Sequence, residues 1–83
     1  MEFEERGPEA LQGKDSNYFK VGNTAYKFIF DFGWFHSSSG KFQIHTRIIT
    51  SPAKAKALLR TLQESIEKHE RNHGAISGEE SGE

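Results

Sequence analysis

Between Ala25 and Phe35 the chain alternates without a break. Tyr26, Phe28, Phe30, Phe32 and Trp34 point one way, and Ala25, Lys27, Ile29, Asp31 and Phe35 the other. A period of two with this much aromatic content predicts a strand, because successive side chains of extended backbone leave on opposite faces. Before it, Tyr18–Val21 predicts a short strand, and Gly22-Asn23 supplies the turn chemistry of a hairpin. After it, His36-Ser37-Ser38-Ser39-Gly40 reads as a flexible loop into a third strand. On that strand the alternation places Phe42, Ile44, Thr46 and Ile48 on one face and Lys41, Gln43, His45 and Arg47 on the other.

The period then changes. Ser51 is a good N-cap and Pro52 suits the first helical position, where its missing N–H costs nothing. Ala55, Leu58, Leu59, Leu62 and Ile66 follow at three- and four-residue steps, with His69 and His73 continuing the stripe. Gly74 stands where a helix C′ residue belongs. The predicted fold is α+β: a three-stranded antiparallel sheet followed by one C-terminal helix, in the order β-β-β-α.

One helix stripe, little wider than ~100°, cannot cover this much apolar surface. Tyr26, Phe28, Phe30, Phe32, Trp34 and Phe42 all ask for cover as core or dimer aromatics, and Ile29, Phe35 and Ile49 lie on the opposite face. A small core without disulfide or metal is marginal, and self-association is the usual remedy. A homodimer is therefore expected.

Composition divides the chain. Residues 1–16 form an acidic N-terminal tail, residues 17–74 a single domain, and residues 75–83 a second acidic tail. The formal net charge of −1 hides this division: residues 1–16 carry −3, residues 17–73 carry +5 and residues 74–83 carry −3. The tails are too polar to offset the entropy of ordering themselves, so both are expected to be mobile. Mean hydropathy is −0.74 and no run of 18 apolar residues is present, so no membrane partner is expected. With no cysteine there is no disulfide framework, thiolate zinc site or thiol nucleophile. The acidic start, Met1-Glu2-Phe3-Glu4-Glu5, is unlike a basic export signal, and a cytoplasmic address is expected.

Several blocks, in order and at compatible spacing, resemble a known family. They are Tyr26-Lys27-Phe28-Ile29-Phe30-Asp31-Phe32-Gly33, His45-Thr46-Arg47-Ile48-Ile49-Thr50-Ser51-Pro52, Ala55-Lys56-Ala57-Leu58-Leu59 and Leu62-Gln63-Glu64-Ser65-Ile66. Together they are similar to the small prokaryotic domain-of-unknown-function family 3467, over about residues 17–74. The Ser-rich loop 36–40 departs from the longer, proline-containing loop associated with that family. The resemblance implies a fold class and a prokaryotic setting, and no reaction.

The residues themselves argue against catalysis. Asp31 is the sole acid in residues 17–63, whereas a paired-carboxylate site needs a second nearby. Ser37-Ser38-Ser39 lacks the framing of a nucleophile elbow, and Asp31-Phe32-Gly33 stands without the rest of the kinase set. Asp31 reads instead as the partner of Arg47 or Lys27 in a cross-strand ion pair, and Gly33 as a bulge or close approach. His69-x-x-x-His73 could face one ion from a helix, but two ligands are too few, and histidines at a helix C-terminus already suit its dipole. No catalytic residue, metal or cofactor is expected. The expected interaction surface comprises Lys27, Ile29, Lys41, His45 and Arg47 on the sheet, with Lys56 and Arg60 on the helix. The expected partners are a second copy and an unidentified protein. Single-stranded nucleic acid on the basic sheet face is the alternative, since such binders set aromatic rings beside cations.

Overall fold

The computed structural model describes residues 11–78. The tail positions 1–10 and 79–83 lie outside the described residues. Three strands, β1 (Tyr18–Asn23), β2 (Phe28–His36) and β3 (Lys41–Thr50), form one antiparallel sheet in the order β1-β2-β3, followed by the helix α1 (Pro52–His73). The β-β-β-α order and the helix bounds agree with the sequence pattern. Ser51 accepts the Lys54 N–H on its side chain at 3.2 Å, and Gly74 ends the helix at φ 92°, its N–H donating to the Glu70 carbonyl at 2.9 Å. Glu70 also accepts the Ile76 N–H at 2.9 Å, so one side chain steadies the exit from the last turn.

Two turns differ from expectation. Gly22 and Asn23 are the last residues of β1 rather than the turn, because Thr24 supplies a better one. Its hydroxyl accepts the N–H groups of Tyr26 and Lys27, each at 3.1 Å, and its N–H reaches the Lys27 carbonyl at 2.9 Å. Tyr26 and Lys27 are therefore turn residues outside β2, and Tyr26 is 82% exposed instead of heading the aromatic face. The loop at 37–40 is a tight turn: the Ser39 and Gly40 N–H groups both reach the His36 carbonyl, and Gly40 takes the positive φ of 70° that closes it.

A third difference decides both faces of the sheet. Phe32 pairs with Thr46, but its neighbour Gly33 pairs with Ile44, so His45 is an extra residue in β3. Because side chains alternate with a period of two, one extra residue flips everything beyond it. Ile44 and Phe42 thus leave the face of Ile48 and join that of Arg47 and Ile49. Gln43 and Lys41 move to the phenylalanine face. The continuous stripe of Phe42, Ile44, Thr46 and Ile48 read from the alternation is divided at the bulge.

Among the described residues no hydrophobic side chain is buried. The two buried positions are Asp31 and Gly33. α1 makes only marginal backbone contact with the sheet. Its stripe is left open, with Leu58, Leu59, Leu62 and Ile66 between 41% and 61% exposed.

Candidate interaction surfaces

Cross-strand partners share a face, so the register sorts the sheet into two surfaces. The phenylalanine face carries Phe19 and Val21 from β1, Phe28, Phe30, Phe32 and Trp34 from β2, and Thr46, Ile48 and Thr50 from β3. Phe19 and Phe32 meet edge to face with centroids 5.8 Å apart, and Phe28 lies 6.4 Å from Phe30. α1 starts on this side. Its first turns, with Pro52, Ala55, Lys56 and Leu59, form an open apolar hollow with Val21, Phe28 and Phe30. Past that hollow the stripe has no cover.

The opposite face centres on Asp31. It carries Tyr18 and Lys20 from β1, Ile29, Asp31 and Phe35 from β2, and Phe42, Ile44, Arg47 and Ile49 from β3. The Tyr18 and Phe42 rings stack with centroids 4.6 Å apart. They belong to the two outer strands and meet because Gly33, between them on β2, has no side chain in the way. Gly33 also sits where the bulge brings β3 close. A Cβ there would overlap the Gln43 carbonyl oxygen and stand 2.9 Å from its carbon and 3.0 Å from Ile44 Cα.

Arg47 grips Asp31 with two parallel bonds, Nε to Oδ1 at 2.7 Å and Nη2 to Oδ2 at 2.8 Å. Of the two cationic partners the sequence allowed Asp31, the structure selects Arg47, which stands directly opposite it. These hydrogen bonds hold the Asp31 carboxyl below its ordinary range, outweighing burial, which pushes it up; the Arg47 and Lys20 charges help. The sign follows from linkage. A carboxyl held low when folded contributes stability above its unfolded pKa of about 3.9, and that contribution is lost as pH falls through the folded value. Arg47→Met removes the restraint and leaves burial to raise the pKa, so acid unfolding followed by circular dichroism should begin at a higher pH than in the parent. An unchanged acid midpoint would show that the pair contributes nothing.

The remaining expected surface residues are scattered. Lys27 lies in the turn, and Lys41 stands opposite His36 at the far end of the phenylalanine face. His45, in the bulge, points to the side of Phe32 and Thr46. Its Nε2 lies 3.0 Å from the Asp15 carbonyl, which only accepts, so Nε2 carries the hydrogen and Nδ1 faces the Thr46 hydroxyl at 2.6 Å. That ring ties the incoming chain to the sheet. Arg60 lies on the side of α1 away from the apolar stripe, and Lys56 beside the hollow. The structure brings together only Ile29 and Arg47 of the expected basic face.

Ser16 and Asn17 were not singled out by sequence. Ser16 accepts the Gly33 N–H at 3.1 Å and donates to the Gly33 carbonyl at 2.9 Å. The Asn17 amide accepts from Phe35 N–H at 2.7 Å and donates to the Phe35 carbonyl at 3.2 Å. Two polar side chains thus continue the backbone ladder past the start of β1, a role no local pattern announces.

His69 and His73 sit one turn apart with ring centroids 4.7 Å apart, and among the described residues no group of three metal-ligating side chains occurs. No helix among them is long and apolar enough to cross a membrane.

The family described as Protein of unknown function (DUF3467) matches residues 4–78. The chain belongs to this family. The DUF3467 match takes in the whole sheet, the bulge and all of α1. No curated protein and no solved structure matches the chain.

Proposed function

We propose that this DUF3467 chain is a non-enzymatic homodimeric module that binds a protein partner through its Asp31 face, in the cytoplasm. One observation carries the reading: the chain exposes large apolar side chains on both sheet faces and along α1 while burying none among the described residues. Burial of apolar surface is the dominant favourable term in folding, and a chain this small without it needs a second body. Self-association is a remedy for one surface. The Asp31 face then remains for something else.

Its composition suits a protein. Phe35, Phe42, Ile44 and Ile49 are between 36% and 55% exposed around the partly exposed Arg47, and aromatic residues with arginine are what binding hot spots favour. These four side chains offer on the order of 400 Å² of apolar surface, the size at which a patch on a monomer is often functional. One feature favours nucleic acid as a second reading. The bulge adds Phe42, and the pairing Tyr18, to the face of Phe35 and Arg47, and the single acid of the sheet is buried under that arginine. The isoleucines and the scatter of the lysines favour protein. Light scattering at micromolar concentration should give about twice the chain mass of 9.4 kDa. A monomer would overturn the dimer, and single-stranded oligonucleotide binding that weakens steeply with salt would replace protein as the partner.

A further inference from the structure

The apolar stripe on α1 has a finer spacing than amphipathicity requires. Ala55, Leu59, Leu62, Ile66, His69 and His73 are separated by four, three, four, three and four residues, the heptad spacing of a helix seam. One edge of this seam carries Lys56, Gln63 and Glu70, seven residues apart. The other carries Leu58, Ser65 and Asn72, with no charge.

We propose that the occupant of the stripe is the α1 of a second copy, running antiparallel about a two-fold axis level with Gln63; this rests on the homodimer reading above. A two-fold axis makes each contact occur twice with the roles exchanged. Placed at Gln63, it sets Gln63 against its own copy. Lys56, seven residues before, then comes level with Glu70 of the second copy, seven residues after, and the reverse holds on the other side. Each cation meets a carboxylate. A parallel pair in register would instead set this edge against the partner's other, uncharged edge, so neither Lys56 nor Glu70 would meet an opposite charge.

The area agrees. Leu58, Leu59, Leu62 and Ile66 on α1, with Phe19, Val21 and Ile48 on the phenylalanine face, are each between 41% and 62% exposed. With the half-buried Phe28, Phe30, Phe32 and Trp34 they offer on the order of 800 Å² per copy, taking such side chains at their usual areas, which is what each side of a stable interface buries. Two helices side by side make a layer able to cover the phenylalanine faces of both sheets. The hollow lined by Val21, Phe28, Phe30 and Leu59 is continuous with the open stripe, so the same partner closes both.

Complementary charge variants test the geometry without relying on pairs inside one helix. The double variant Lys56→Glu, Glu70→Lys keeps the parent's net charge and, in its own antiparallel homodimer, both attractive pairs. Mixed in equal amounts with the parent, it sets like charges against each other at both pairs of the antiparallel heterodimer. Native mass spectrometry at low salt should show the heterodimer at about one-fifth of all dimers, against about half for random exchange, given a few tenths of a kcal/mol for each exposed pair. Because Glu70 also steadies the helix exit, Glu70→Gln, which keeps an acceptor, serves as the control and should exchange at random with the parent. A statistical mixture of intact dimers from the parent and the double variant, or an excess of heterodimer, would overturn the antiparallel arrangement while leaving the homodimer standing. Monomers throughout, parent included, would overturn the homodimer itself.

Discussion

Leu62→Asp should dissociate the protein and unfold it in one transition. Leu62 is 52% exposed in the single chain and occupies the middle of the α1 stripe. A symmetric dimer buries this position twice, so the change removes two leucines and desolvates two carboxylates. Each half-open leucine is worth about 1 kcal/mol on burial, and each carboxylate costs at least as much again. The sum corresponds to a weakening of association on the order of a thousand-fold. No buried hydrophobic core among the described residues can hold the fold after dissociation, so the far-ultraviolet circular dichroism signal should fall with the dimer. Arg60→Asp, on the far side of the same helix, controls for the added charge and should leave the mass and the signal in place. A Leu62→Asp protein that stays dimeric at micromolar concentration would remove the stripe from the interface.

The second large effect belongs to Gly33. Adding one methyl group places a Cβ against the backbone of Gln43 and Ile44, and backbone atoms inside a sheet cannot turn aside as a flexible side-chain end can. Gly33→Ala must therefore open the β2–β3 pairing at the bulge, at a cost of about 3 kcal/mol, the upper part of the overpacking range. That is a large share of the ~5–15 kcal/mol that holds a typical domain. The urea midpoint should fall sharply, and the near-ultraviolet signal of the Tyr18–Phe42 stack should weaken even where folded protein persists. Gly22→Ala supplies the contrast: a Cβ there meets nothing within 4 Å, so its midpoint should stay within experimental scatter of the parent. Equal loss in both variants would mean that a methyl group is costly at either glycine of the sheet, and that the close approach at Gly33 is not what sets the loss.

The two positions illustrate how differently parts of this protein could be read beforehand. Ser51, Pro52 and Gly74 act through their own backbone and their nearest neighbours, so the helix bounds were legible from short-range chemistry. The alternation from Phe28 to Trp34 was legible for the same reason. Tyr26 extended that alternation on paper, yet Thr24 competes for the local backbone donors with its hydroxyl and takes Tyr26 into the turn. Gly33 could be suspected of marking a bulge. That the extra residue lies across the ladder, at His45, could not, because a bulge is a property of two strands together. The error then spread: one unpaired residue moved Phe42 and Ile44 to the Asp31 face and Lys41 and Gln43 away from it. The basic surface expected on the sheet lost Lys41 and His45 to the same shift, and Lys27 to the turn at Thr24.

Local sequence thus determined the order of elements, the turn between sheet and helix, and the fact that more apolar surface exists than one helix can cover. These depend on periodicity, capping and composition, whose physics acts over a few residues. Only the tertiary structure decided which apolar residues share a face, which cation neutralises Asp31, and that α1 leaves its stripe open rather than lying down on its own sheet. Those outcomes depend on strand register and on the direction in which a helix leaves a sheet. A shift of one residue reverses the first while leaving every local preference satisfied.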